Sequence, residues 1–168
     1  MKNKIILGIF LFLAAIVFII FKTNNYPPFN KVIKESSNED ILIEKYLNTH
    51  VLIPEYDGSI FCVFNKYGSE EKDNQIFYYL WVYCEEYYKN GKEILMGSGV
   101  SMPIRLNAIR DENQIKIENY KQPIDGEDYP KSIKEIFPEK YSSDAINGFD
   151  ITNFSKTPKE KADQYFKN

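Results

Sequence analysis

Ile76-Phe77-Tyr78-Tyr79-Leu80-Trp81-Val82-Tyr83-Cys84-Glu85-Glu86-Tyr87-Tyr88, followed at once by Lys89-Asn90-Gly91-Lys92, is the stretch on which the fold turns. It holds neither Gly nor Pro, and it is rich in the aromatic and β-branched side chains that suit a pleated surface. Read as a strand, it places Ile76, Tyr78, Leu80, Val82 and Cys84 on one face and Phe77, Tyr79, Trp81, Tyr83 and Tyr87 on the other. Asn90-Gly91 then marks a hairpin, because both central positions of a tight turn can require φ > 0. A two-residue turn there predicts the pairs Lys89–Lys92, Tyr83–Ser98 and Trp81–Val100.

Outward from this hairpin the pattern repeats. The return strand runs from Glu93 to about Ile109, with Gly97-Ser98-Gly99 and Pro103 pointing to a bulge or a close backbone approach. Asp111-Glu112-Asn113 reads as a second turn, and Gln114–Tyr120 alternates as a fourth strand. Upstream, Ile60–Phe64 is a short apolar strand, and the polar tract Tyr67–Asn74 reads as a loop, with Glu70-Glu71-Lys72-Asp73 its charged part. Before it, Ser36-Ser37-Asn38-Glu39-Asp40 caps a helix over about 37–49, with Leu42, Ile43, Tyr46 and Leu47 on one side. Its Leu42, Tyr46 and Leu47 are expected against the aliphatic face of Ile76–Tyr88. The expected fold class is α+β: a helix across a four-stranded antiparallel meander, a cystatin/NTF2-like layering, with short C-terminal helices. Pro130–Phe137 reads as one such helix, opened by its proline and stopped by Pro138. Residues 141–168 are expected to be a tail, with a frayed helix from Thr157.

The first 36 residues are of another kind. Ile5 to Phe21 is a run of 17 residues without charge or proline, fenced by Lys2, Lys4 and Lys22. As a helix it would extend roughly 26 Å, close to the thickness of a bilayer core. No small-x-small cleavage site follows it and no Cys stands just after it, so residues 1–22 are expected to be an uncleaved signal-anchor. Residues 23–36, with Tyr26-Pro27-Pro28, read as an extended spacer and 37–140 as the domain. The flanking lysines nearly balance. A short head before a long domain favours a single-pass cell-membrane protein with its domain extracytoplasmic.

Beyond residue 22 the chain carries 18 basic and 24 acidic side chains, a net of −6. That argues against a basic nucleic-acid surface and against a domain lying flat on anionic lipid. Cys62 and Cys84 are the only cysteines, too few for a four-ligand zinc site. Two readings of them stay open, a pair of buried thiols or one disulfide on the oxidising side of a membrane.

No motif carries chemistry. His50 is the single histidine, so an enzymatic alternative would have to build a hydrolase on it or on paired carboxylates. Glu85 and Glu86, as strand neighbours, point to opposite faces and cannot share a substrate. Asp125-Gly126-Glu127-Asp128 lacks the alternating ligands of a calcium loop and reads as a solvated turn. No catalytic residue, metal ligand or cofactor is expected. The aromatic face has two readings: a docking surface for a protein or glycan at the cell envelope, with Tyr79, Trp81 and Tyr83 as anchors, or a second core covered by the C-terminal segments.

Gly97-Ser98-Gly99-Val100-Ser101-Met102-Pro103, Tyr120-Lys121-Gln122-Pro123-Ile124-Asp125-Gly126 and Ser132–Pro138 together resemble a small uncharacterised extracytoplasmic domain of Firmicutes. That domain stands behind a membrane anchor or lipoprotein signal. It is similar to the C-terminal extension of some membrane metallopeptidases of the antibiotic-sensing, BlaR/MecR-like kind. The resemblance spans about residues 59–140 and implies an accessory or sensing domain. It carries over no catalytic residue, since this chain has no His-Glu-x-x-His. The reading is therefore a non-catalytic, membrane-tethered binding or sensing module, with an envelope hydrolase or a membrane-held immunity or inhibitor protein as alternatives.

Overall fold

The computed structural model describes residues 37–112, 114–154 and 156–167. The expected anchor and spacer lie outside the described residues. Among the described residues no helix is long and apolar enough to cross a membrane.

Helix α1, Asn38–His50, starts where Ser37 accepts a hydrogen bond from the Asp40 amide at 3.1 Å, with Glu39 and Asp40 favourably placed against the helix dipole. Four strands follow: β1 Ser59–Lys72, β2 Gln75–Asn90, β3 Glu93–Asp111 and β4 Gln114–Lys121. They form one antiparallel sheet in the order β1-β2-β3-β4, the expected meander. Helices α2, Tyr129–Ile136, α3, Glu139–Asn147, and α4, Pro158–Lys167, complete the unit.

Three expectations need correction. The tract Tyr67–Asn74 is not a loop, because β1 continues to Lys72 and only Asp73-Asn74 turn the chain, both at positive φ. Asp and Asn tolerate that region and make a tight I′-like turn, which a polar composition conceals. The β2–β3 register also differs. Asn90 faces Glu93, so Gly91-Lys92 rather than Asn90-Gly91 is the turn, with Gly91 alone at φ +63°. A bulge at Gly97-Ser98 then brings Tyr83 opposite Ser101 and Trp81 opposite Pro103. Finally, residues 141–168 are no tail. Ala145 of α3 and Ala162 of α4 are fully buried against the sheet.

One core lies between α1 and the even-numbered face of β2. Ile43 and Leu47 of α1 pack with Tyr78, Leu80, Val82, Ile104 and Leu106, and Ile43 takes the place expected of Leu42. Burying each of these two aliphatic side chains contributes about 2 kcal/mol. Pro103 is tolerated in β3, an interior strand, because β4 pairs only from Arg105 onward. On its free side no ladder bond requires a donor.

Cys62 and Cys84 face each other across β1 and β2 with Cα atoms 4.1 Å apart, and they are joined by a disulfide. The buried-thiol reading is therefore replaced. Both residues are fully buried in the first core. The Cys62 amide donates to Asn48 Oδ1 at 2.7 Å and its carbonyl accepts from Lys161 Nζ at 2.9 Å. Lys161 also pairs with Glu44 at 2.6 Å. The edge of β1 is thus occupied by side chains from α1 and α4, which removes a sticky strand edge at this point.

Replacing both cysteines by alanine should lower unfolding free energy by about 3 kcal/mol, for a loop closed over a separation of 22 residues. Urea titration checks this. Mild reductant should leave the native bond intact and open it once urea unfolds the chain, as alkylation and mass measurement would show.

Candidate functional site

The most unusual group in the domain is Glu86. It sits on the core-facing side of β2 and is fully buried. Its carboxylate accepts from the amides of Glu55 at 2.9 Å, Tyr56 at 2.8 Å and Gly58 at 2.9 Å. From the β3 bulge it accepts the Ser98 amide at 3.3 Å and the Ser98 hydroxyl at 3.0 Å. Burial by itself would raise the carboxyl pKa. The amides of Glu55, Gly58, Tyr56 and Ser98 outweigh it and hold the group down at about 2.

The approach is close enough to dictate glycines. A Cβ on Gly58 would lie 2.8 Å from Glu86 Cγ, and one on Gly97 would lie 2.6 Å from Glu86 Oε2. Gly97-Ser98 therefore does two things: it lets the carboxylate in and supplies two of its donors.

What this carboxylate holds is the segment between α1 and β1. Asp57 is bent into the left-handed region at φ +54°, a conformation Asp accepts more readily than most residues. Pro54 keeps Ile53 extended. The segment ends up with its apolar side chains outside. Ile53 is 84 % exposed and Tyr56 56 % exposed. Tyr56 stacks on Tyr88 of β2 with ring centroids 5.0 Å apart. A buried charge thus pins a convex loop that shows apolar groups to solvent.

The expected anchors lie elsewhere. Tyr79 is buried under α2 and α3, touching Phe137 and Tyr141 at centroid distances of 5.4 Å. Its hydroxyl donates to Glu70 Oε2 at 3.1 Å, and burial together with that carboxylate raises its pKa to about 12. Trp81 is buried, and its indole N–H donates to Ser101 Oγ at 2.9 Å. Tyr83 is half-buried and donates to Glu85, which also accepts from Tyr87 at 2.6 Å. At Tyr79, Trp81 and Tyr87 the face is a second interior, the covered reading of the pair. The ends of β2 complete it, since Phe61 and Tyr87 pack under Ala162 and Phe166 of α4.

Glu85 and Glu86 do point to opposite faces, each with its own set of donors. His50 is exposed at the end of α1, stacked on Tyr46 at 4.1 Å. Its Nδ1 lies within hydrogen-bonding distance of the Thr49 hydroxyl and the Tyr46 carbonyl. No thiol is free to join it, since both cysteines are oxidised. Gly126–Asp128 is a single 3-10 turn. Among the described residues no group of three or more His, Cys, Asp or Glu could hold a metal ion.

Comparison with family models, with curated proteins and with solved structures finds no match to this chain. The site therefore rests on its own geometry. Glu86 and the loop were missed from sequence. The available signal was an acid inside an apolar strand, with glycines at 58 and 97 to make room for it.

Glu86→Gln should cost about 3 kcal/mol, because an amide cannot accept all five bonds and brings donors of its own. The folded carboxyl lies below its ordinary value of 4.5, so its contribution is fully present above that pH. It is lost as pH falls from about 4.5 toward about 2. Acid titration of stability should therefore be flatter over that window in Glu86→Gln than in the natural chain. Tyr79→Ala should cost about 3 kcal/mol as an interior aromatic. A urea midpoint unchanged by that substitution would restore Tyr79 to the surface.

Proposed function

We propose that the chain is a membrane-tethered, extracytoplasmic binding or sensing module without catalytic function, and that its contact surface is the Ile53–Gly58 loop. The observation that carries this reading is the pinning of an exposed apolar loop by the buried Glu86 carboxylate. Burying a charge is costly unless it is fully bonded, and here the bonds rigidify a segment whose own side chains contribute little to the core. A loop fixed before contact loses less entropy on binding than a mobile one.

Two further features favour the same reading. The Cys62–Cys84 bond suits an oxidising compartment. The apolar run Ile5–Phe21 has the length and flanks of a signal-anchor. The loop also follows the last turn of α1, at the opposite end of that helix from its Ser37 cap. The start of α1 is joined to β1 through Lys66 and Asp40 at 3.0 Å, whereas its last turn reaches Cys62 through Asn48. The thirteen residues of α1 separate these ends by about 20 Å. Tyr79, Trp81 and Tyr83 keep a structural role in this reading, and the partner meets Ile53 and Tyr56.

The topology is tested by alkaline phosphatase fused after Asn168, together with acid-trapped alkylation of the cysteines in cells. Activity of the fusion and an oxidised Cys62–Cys84 pair are expected. An inactive fusion with both thiols alkylated would overturn the extracytoplasmic reading. Ile53→Asp combined with Tyr56→Ser should leave stability within about 0.5 kcal/mol per site. The same pair should abolish partner recovery from crosslinked membranes.

A further inference from the structure

Resting on that reading, we infer that the loop's occupant is a cleft on another protein, apolar at its floor and basic at its rim. The loop's own chemistry sets this choice. From Val51 to Ser59 the chain holds two acids, Glu55 and Asp57, and no base. Both acids are exposed on either side of Tyr56. Glu86 adds a third fixed negative charge directly beneath. The lysine nearest along β2, Lys89, turns to the other side of the sheet, its ammonium 5.5 Å over the Phe166 ring. The end of the domain is therefore an apolar projection, Ile53 with Tyr56, inside a negative field.

That field discriminates among occupants. An anionic lipid surface would be repelled by it. A second copy docked about a two-fold axis would bring the same two acids against themselves, a like-charge contact. A flat neutral surface would leave Ile53 without a pocket. A concave apolar site edged by Lys or Arg satisfies both parts and would draw the domain in by long-range attraction. The loop arrives already shaped, since three of its amides are tied to Glu86.

The test uses the full chain in its native membrane, with benzoylphenylalanine placed at position 53 or 56. Position 124, also exposed but far along the sequence, is the control. Irradiation should give a protein adduct from 53 and 56 and none from 124, and the adducted peptide should lie among Lys or Arg residues. The double variant Glu55→Gln/Asp57→Asn keeps the loop's bonds to Glu86, which come from backbone amides, and Asn tolerates the left-handed conformation at 57. It should lower adduct yield about five-fold, and about 0.5 M salt should do the same to the natural chain. An adduct of two copies of this chain, or a lipid adduct alone, would overturn the inference. A protein adduct indifferent to both charge and salt would overturn the basic rim while leaving the binding reading intact. Absence of any adduct from 53 and 56 would overturn both.

Discussion

Strand β2 is covered on both faces, so its polar groups must find partners inside the protein, and among the described residues only the buried Tyr78 hydroxyl on this strand lacks one. That constraint organises the rest of the unit. Its even-numbered side chains meet α1 and its odd-numbered ones meet α2, α3 and α4. The indole of Trp81, the hydroxyls of Tyr79, Tyr83 and Tyr87, and both carboxylates that end the run are all bonded to named groups. An unmade bond at such a site costs more than a made one contributes, so the pairing is dictated by what failure would cost. The disulfide ties the same strand to β1, and Asn48 and Lys161 occupy the outward-facing backbone groups there. Elements separated by about a hundred positions in sequence, such as Cys62 and Lys161, are thereby fixed around one strand.

Glu86 extends the constraint beyond the core. Among the described residues no cation stands beside this carboxylate on the core side of β2. Its five donors come from a loop and a bulge, which must therefore approach it. The glycines at 58 and 97 follow from the same geometry, because a Cβ at either would collide with the carboxylate. Seen this way the Gly97-Ser98 bulge is not a defect in a long strand. It is the half of a clamp contributed by β3, and the connection from α1 to β1 is the other half.

Much of the architecture was legible in sequence because local signals agreed with the global fold. The Ser37 cap, the period-two alternation of β2, the glycine turn after it and Pro130 each mark an element where one is found. What misled was chemistry that local pattern does not resolve. Asp73-Asn74 closes a hairpin as well as Asn-Gly would, so the polar half of β1 looked like a loop. The register of β2 against β3 depends on which two residues form the turn and on a bulge six positions later, neither fixed by alternation. In helix α3 only Ser142 and Ala145 are buried, with Tyr141 and Ile146 half-buried beside them. The two innermost side chains are small, so the apolar stripe is weak and the segment reads as tail. The pairing of Cys62 with Cys84 depends on the register of β1 with β2, which spacing alone could not supply.

The same asymmetry explains why the aromatic face of β2 admits two readings in sequence, a docking surface or a second core. Aromatic density marks a strand with much area to bury, and three short helices of modest apolar content suffice to cover it when they pack on rings as large as Tyr79 and Trp81. Exposed apolar groups, by contrast, are few in the sequence around Ile53 and Tyr56, and they are held in place only because Glu86 draws the loop onto the bulge. A surface assembled by a buried charge has no run of hydrophobic residues to announce it. Its signature is the combination of an acid within an apolar strand and glycines at the two places where the backbone must come close. The order of that surface depends on a group buried beneath it, so the exposed loop and the core share a single carboxylate.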